Sequence, residues 1–65
     1  MKIRYFADTD TLYIEFAPGP VAGTRDIGED AVADFGSDGA IRALTVEHAS
    51  KRAGVPNISI EHVAP

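Results

Sequence analysis

The chain has 65 residues, which is room for one domain, and it contains no cysteine. A chain this short buries only about 60% of the surface it exposes when unfolded, and without cysteine it has no disulfides or thiolate metal sites to reinforce its core. A formal net charge of −4 opposes general binding to nucleic-acid phosphates. No apolar run approaches the about 20 residues of a membrane span. We therefore expect a single cytoplasmic domain over residues 1–65 that forms a homodimer, has no membrane association and suits a basic partner protein.

The first predicted element is a β-hairpin with a defined register. Residues 1–6 and 11–16 flank Ala7-Asp8-Thr9-Asp10, which has the composition of a four-residue loop. Such a loop places Phe6 opposite Thr11 and fixes every pair further from the loop. One face of the hairpin then carries Met1, Ile3, Tyr5, Leu12, Ile14 and Phe16, and the other carries Lys2, Arg4, Phe6, Thr11, Tyr13 and Glu15.

The second of these faces combines charge with aromatic area. An opposite-charge pair between Lys2 and Glu15 and an arginine beside the ring of Tyr13 both support the register. Phe6 adds further aromatic surface, which we expect the helix or a second subunit to cover. The sequence therefore predicts an interaction surface, or alternatively a small-ligand site, at Arg4, Phe6 and Tyr13.

A sharp break separates this hairpin from a third strand. Ala17-Pro18-Gly19-Pro20 interrupts the pattern, because proline removes backbone donors and glycine permits a tight bend. Four residues are too few for an interdomain linker, so we expect a turn within the domain. Val21 to Ile27 has enough β-branched character for a third strand, and Gly28-Glu29-Asp30 forms the turn that follows.

A second hairpin is predicted in the middle of the chain. Ala31 to Phe35 is an apolar run that ends at the turn Gly36-Ser37-Asp38-Gly39, and Ala40 to Glu47 resumes with β-branched residues. Ser37 and Asp38 suit the centre of a type I turn, and Gly39 suits the positive φ that follows it.

The second strand of this hairpin contains a break in its alternation. Ile41 has the opposite parity to Leu44 and Val46, so a regular strand cannot bury all three on one face. Either the sheet is covered on both sides, or an extra residue near Arg42-Ala43 forms a β-bulge that returns Ile41 to the face of the other two. We favour the bulge.

A helix of one or two turns is predicted near residues 48–53, closed by Gly54 and then Pro56. Lys51 and Arg52 fall in its last turn, where cations complement the partial negative charge of the helix end. This placement needs no ligand to explain it.

The last predicted element is a strand near residues 57–63. Ile58 and Ile60 alternate with polar residues there, and the strand is expected to pair within its own sheet or with another copy. The predicted fold class is mainly β, bordering on α+β: an antiparallel sheet of two hairpins with a third-strand connection, one short helix and this C-terminal strand.

Several motifs occur in a set order along the chain: Tyr5 before an acidic turn and Thr11-Leu12-Tyr13-Ile14, Thr24-Arg25 before an acidic turn, Asp34-Phe35 with Asp38-Gly39, and a closing Ala49-Ser50-Lys51-Arg52. In this combination the chain resembles a small prokaryotic family catalogued as domain of unknown function 2283. The resemblance implies a compact, mainly β protein without an assigned activity, and an antitoxin-like role as partner of a small toxin. The chain departs from the family pattern at His48 and in its longer tail, which leaves the role of His48 and the pairing of the tail open.

Two metal sites are conceivable from the residue types. Asp8 and Asp10 offer carboxylate oxygens to a cation such as Ca²⁺, which takes roughly six to eight oxygen ligands, and the alternative is that they accept local backbone N–H bonds in an Asx-type turn. A site at His48 and His62 requires the tail to fold back beside the helix start and to recruit a carboxylate. The sequence demands neither site, and no cofactor is expected.

One set of residues suggests acid–base chemistry. Asp34 lies in an apolar strand, where an inward-facing carboxylate needs partners or has a raised pKa, although a place near a turn also lets it face water or cap the loop. A carboxylate, an imidazole, a hydroxyl and an amine lie close in sequence at the predicted strand-to-helix junction, on Glu47, His48, Ser50 and Lys51. Adjacent side chains at such a junction point apart, and His48 or Ser50 also suits a helix N-cap. The enzymatic alternative is a small hydrolase or nuclease built from Asp34, Glu47 and His48 across a dimer interface.

The remaining motifs argue against other functions. Arg42, Lys51 and Arg52 lack aromatic residues between them and are expected to be solvated charges. No phosphate-binding loop, dinucleotide fingerprint, zincin motif or internal repeat is present, which argues against an enzyme. The sequence therefore predicts a non-catalytic, dimeric protein-interaction module that binds another protein through its acidic surface or an exposed sheet edge.

Overall fold

The computed structural model describes residues 1–54 and 57–65. In these residues the chain forms one open antiparallel sheet of five strands and one short helix, which confirms the mainly β prediction. The elements are β1 (Lys2–Phe6), β2 (Thr11–Glu15), β3 (Gly23–Gly28), β4 (Ala31–Phe35), β5 (Ile41–Val46) and α1 (Ala49–Arg52). The strands lie in the order β1-β2-β5-β4-β3, so the last strand inserts between the first hairpin and the β3–β4 pair.

The first hairpin has the predicted register. Phe6 pairs with Thr11 and Ile3 with Ile14, with no shift between β1 and β2. The four-residue loop fixes these pairs, and the alternation of apolar and polar residues agrees with them along both strands. Ile3 and Ile14 therefore lie on one face, and Arg4 and its partner lie on the other.

The third strand forms at one edge of the sheet. It starts at Gly23 rather than at the predicted Val21, after the backbone N–H of Ala22 donates to the carbonyl oxygen of Phe35 at 2.7 Å. Its pairing with β4 shifts between Asp26 and Gly28, which leaves Ile27 as an extra residue. Edge strand β3 is thus bulged where it approaches the turn into β4.

The predicted bulge in β5 is confirmed. Asp34 pairs with Ala43 and Phe35 pairs with Ile41, so that Arg42 is the extra residue on β5. Phe35 lies on the same face of β4 as the residue that pairs with Leu44. Ile41 pairs with Phe35, so Ile41 shares the face of Leu44. A single inserted residue therefore restores one continuous apolar face.

Helix α1 is one turn long, and of the two residues predicted as its N-cap, His48 holds that position. His48 occupies the N-cap position in the left-handed conformation, with φ of 54°, but its side chain makes no capping hydrogen bond. Ser50 does not cap the helix, because its N–H and its hydroxyl both donate to Asp10 in the loop of the first hairpin. At the other end, Gly54 has φ of +68°, as a glycine after a helix commonly does. Pro56 lies outside the described residues.

The predicted strand near residues 57–63 does not form within a single copy. Residues 57–65 have no strand structure, and Ile58, Ile60 and Val63 are exposed. Alternation alone does not make a strand, because the backbone N–H and C=O groups also need a neighbouring edge. The outer edges of β1 and β3 in the described sheet are not taken by this segment.

The molecule is thin for its size. It measures 35 × 32 × 18 Å, and its radius of gyration is 12.8 Å, whereas a compact chain of 65 residues has about 11 Å. Its core is small: Leu12 and Ala49 are buried where α1 crosses the sheet, and Ala33 and Ala43 are buried within the sheet itself. One sheet and one turn of helix bury little apolar surface.

Candidate functional site

The carboxylate of Asp10 joins the first loop to the start of α1. Its Oδ1 accepts hydrogen bonds from the hydroxyl of Tyr5 at 2.6 Å and from the backbone N–H of Ser50 at 3.0 Å, and its Oδ2 accepts one from Ser50 Oγ at 2.8 Å. The backbone carbonyl of Asp10 also accepts the N–H of Ala49 at 2.9 Å. The predicted local Asx-type bonding of Asp10 is therefore wrong, because its carboxylate is bound by the side chain of Tyr5 and by Ser50, forty residues further along the chain.

These bonds change the acidity of both side chains. The hydrogen bond from Tyr5, followed by those from Ser50, lowers the pKa of the Asp10 carboxyl, because each stabilises the charged form. The same bond to the carboxylate raises the pKa of the Tyr5 hydroxyl. Both oxygens of Asp10 are thus engaged in holding the helix start.

A second carboxylate, Asp30, ties the β3–β4 turn to the other end of α1. Arg52 donates to it from Nε and Nη2, each at 2.9 Å from Oδ2, and Nδ1 of His48 lies 3.2 Å from Oδ1. Burial raises the pKa of this carboxyl, but the hydrogen bonds from His48 and Arg52 and the charge of Arg52 lower it, and the net direction is downward. Arg52 also reaches Glu29 at 3.4 Å. The role of these groups is to fix the helix against the sheet.

Within one chain, Asp34 is not brought to Glu47 and His48. Asp34 pairs with Ala43, and Glu47 follows four residues later, which is about 13 Å along an extended strand. The Asp34 carboxylate instead accepts a hydrogen bond from Thr24 Oγ1 at 2.8 Å. The three residues of the enzymatic alternative therefore share no cleft in a single copy.

The candidate metal ligands are also separate. Asp8 is exposed, whereas both oxygens of Asp10 are engaged by Tyr5 and Ser50. Among residues 1–54 and 57–65, no three imidazole or carboxylate groups come close enough to hold a metal ion. The imidazole of His48 faces Asp30, and His62 lies in the segment outside the sheet.

Arg42 does not belong to a basic patch. Its side chain lies against Gly36 at the far end of β5 from α1, and its Nη2 is 3.5 Å from Asp38 Oδ1. A Cβ at Gly36 would lie 2.5 Å from Arg42 Nε, so only glycine lets this guanidinium pack against the turn. Lys51 and Arg52 are on the helix at the opposite end of the sheet.

The apolar face of the sheet is the largest feature that one copy leaves incomplete. We define it by three rows that the strand registers align: Tyr5, Leu12, Val46 and Ala31; then Ile3, Ile14, Leu44 and Ala33; then Ile41 and Phe35. Ala49 of α1 packs with Leu12 of the first row, and Tyr5, Ile14 and Val46 pack against this pair, so the helix reaches only Ile14 beyond that row. In the other two rows Ala33 is buried, Leu44 and Phe35 are half-buried, and Ile3 and Ile41 are 37% and 44% exposed. We call these second and third rows the open rows.

The opposite, polar face carries the predicted interaction residues. Arg4 pairs with Tyr13, and Phe6 lies beside them on β1 with 46% of its surface exposed. Because α1 packs on Leu12 and its neighbours, it covers the other face and not this one. The helix is thus ruled out as the cover for Phe6.

The described surface includes a groove at each of two places. One, of about 360 Å³, lies between β3 and the β4–β5 turn beside Phe35, whose ring is 4.3 Å from the guanidinium carbon of Arg25. The other, of about 190 Å³, lies beside Asp30 and Arg52. Neither of these two grooves is lined by the predicted residues Arg4, Phe6 and Tyr13.

The order of these elements matches one family. The sequence profile described as a protein of unknown function, DUF2283, matches residues 2–50. The chain belongs to the DUF2283 family. Comparisons with curated proteins and with solved structures give no match. In this DUF2283 chain the matched part spans all five strands and the Asp10–Ser50 contact, and it confirms the resemblance drawn from the sequence motifs.

Two features of this DUF2283 protein do not follow from local sequence patterns. Asp30 lies in a predicted turn, and its partners His48 and Arg52 lie too far along the chain for a local pattern to indicate them. The open rows were predictable only in part, since alternation placed Ile3 and Ile14 together but did not show which strands would lie beside them. None of the described helical structure has the length and apolar character needed to cross a membrane.

Proposed function

We propose that this DUF2283 protein is a non-catalytic protein-interaction module that acts as a homodimer, with the open rows as the contact between copies. The observation that supports this most directly is the continuity of those rows. Ile3, Ile14 and Leu44 align across three neighbouring strands, and Ile41 and Phe35 continue the patch. A patch of this kind on a sheet favours burial against a second layer.

The exposed area supports a second copy as that layer. The chain exposes 4895 Å², whereas a folded monomer of 6.9 kDa exposes about 4,000 Å². The excess, about 900 Å², includes residues 57–65 outside the sheet as well as the open rows, and each partner in a standard protein–protein interface buries roughly 800 Å². Two copies of one apolar patch also satisfy the self-complementarity that a two-fold dimer requires.

The distribution of charge is compatible with this contact. The chain has a net charge of −4, so two copies repel one another at long range. The open rows consist of apolar side chains, and the one cation stacked at their margin, Arg25, lies on the ring of Phe35. The interface therefore brings apolar groups together without burying an unpaired carboxylate.

A dimer formed in this way leaves the polar face for a second protein. Aromatic residues and arginine are enriched in protein interfaces, and Phe6, Arg4 and Tyr13 supply both on one surface. The acidic net charge favours a basic partner. An antitoxin-like role, in which the dimer binds a small basic toxin, is the specific form of this proposal.

Light scattering on the protein at micromolar concentration tests the dimer. Ile41→Lys places a charge in the open rows and is expected to give a monomer with an unchanged far-ultraviolet circular dichroism spectrum. Val21→Lys is the matched control, because Val21 is similarly exposed, at 51%, but precedes β3 and lies outside the open rows. A monomeric wild-type protein, or an Ile41→Lys variant that remains dimeric, would refute the proposed interface.

A further inference from the structure

The sheet has two unpaired edges, and they differ in how well they accept another strand. The outer strands are β1 and β3. Strand β3 contains a bulge at Ile27 and has glycine at both ends, at Gly23 and Gly28. Bulges and glycine weaken the pairing of an edge strand. Strand β1 pairs without a shift at five successive positions and presents a regular outer edge.

One segment of the chain has a strand pattern but no strand partner. Residues 57–61 alternate polar and apolar side chains, and residues 57–63 have no strand structure in a single copy. Ile60 is 87% exposed and Val63 is 77% exposed, so the segment also contributes to the excess surface of the chain. Apolar alternation that is left in water is the pattern expected of a strand that pairs elsewhere.

We propose that residues 57–63 of one copy add as a sixth strand to the outer edge of β1 in a second copy. This inference rests on the proposed homodimer and deepens it. In a two-fold assembly the exchange is reciprocal, so each copy gives one strand and receives one. The main-chain hydrogen bonds of the added strand satisfy the free N–H and C=O groups of the β1 edge.

An antiparallel register in which Ile60 faces Ile3 places apolar side chains beside apolar ones on one face and polar side chains beside polar ones on the other. Ile60 and Ile58 then extend the apolar face beside Ile3 and Tyr5, because side chains alternate with a period of two. A shift by one residue would put both isoleucines on the polar face.

The same register matches the charges. It places Glu61 opposite Lys2 on the polar face, where Arg4 also lies. At the other edge, the polar side of β3 carries Asp26, which would repel Glu61. Charge complementarity therefore selects β1 over β3.

The described part of the chain does not bring the segment to the β1 edge of its own copy. Glu47 and His48 contact Asp30, and Ser50 then contacts Asp10, so the helix begins between these two carboxylates. The side chain of Arg52 reaches back to Asp30. The β1 edge of the same chain is not occupied by the described residues 57–65.

Engineered cysteines test this pairing in the full chain, which has no cysteine of its own. The register puts Arg4 opposite Ser59, with Cβ atoms about 5 Å apart, which is close enough for a disulfide after small adjustment. Arg4→Cys and Ser59→Cys single variants, one carrying an affinity tag, are refolded together from denaturant and oxidised. We expect a disulfide-linked heterodimer that forms at least about tenfold faster than with the control pair Thr24→Cys and Ser59→Cys, because pairing raises the effective concentration of the thiols.

Three other outcomes would contradict the strand exchange, and they differ in what they imply for the dimer. If the double variant Arg4→Cys/Ser59→Cys forms only an intrachain disulfide, the segment pairs within its own copy and the inference is wrong. If no preferential cross-link forms while light scattering still shows a dimer, the strand exchange is overturned and the open-row dimer stands. If the wild-type protein is monomeric, both proposals fail.

Discussion

Asp10 and Ser50, forty residues apart, are joined by two hydrogen bonds, from the serine N–H at 3.0 Å and from its hydroxyl at 2.8 Å. This contact replaces the local N-cap that α1 lacks, since His48 at the N-cap position makes no capping bond. A helix of one turn is not stable alone in water. Its position on the sheet therefore depends on Asp10 at one end and on Asp30 at the other.

We expect Asp10→Gly to lower the melting temperature by several degrees. Glycine accepts the positive φ of 53° at this position without strain, so the change isolates the loss of the bonds to Tyr5 and Ser50. Asp8→Gly is the matched control, because it makes the unfolded chain equally more flexible in the same loop. Thermal unfolding followed by circular dichroism measures both, and equal losses would contradict a specific role for Asp10.

The stabilisation from Asp10 should depend on pH. Hydrogen bonds from Tyr5 and then from Ser50 place the pKa of this carboxyl below its ordinary value in the folded state. A depressed carboxyl pKa contributes stability that is complete above the unfolded value, about 4, and is lost as the pH falls through the folded value.

Comparison with Asp10→Asn measures this dependence, because the other acidic groups titrate in both proteins. The difference in melting temperature between wild type and the variant should be largest near neutral pH and should shrink as the pH falls below about 4. A difference that stays constant down to acid pH would show that the charge of Asp10 does not matter.

Gly36→Ala is expected to cost about 0.5 to 1 kcal/mol, because its Cβ would meet Arg42 Nε at 2.5 Å and this guanidinium, the end of a flexible side chain, would have to move. In an Arg42→Ala background the same change should cost less, which gives a coupling energy of about 0.5 kcal/mol. Gly23→Ala is the control, since a Cβ there meets no atom within 4 Å. Urea unfolding at one fixed protein concentration measures the cycle, and an unchanged cost in the Arg42→Ala background would refute the contact.

Much of the sheet followed from local patterns. The four-residue loop fixed the pairing of Phe6 with Thr11, and the parity break at Ile41 located the bulge that leaves Arg42 as the extra residue. These features are predictable because turn geometry and side-chain alternation act over a few residues. The strand predicted near residues 57–63 does not form within one copy. Alternation of side chains is local, and it does not supply the neighbouring edge that a strand needs.

The sequence by itself determined the register of the first hairpin, the bulge in the second hairpin and the family. Only the tertiary structure decided which polar groups meet. Placing β5 between β2 and β4 brings Val46 beside Leu12 and Ala31, so the chain that follows β5 lies within reach of both Asp10 and Asp30. Contacts of this kind depend on the order of strands in the sheet, which no local pattern contains, and the same order aligns the apolar residues of separate strands into the open rows.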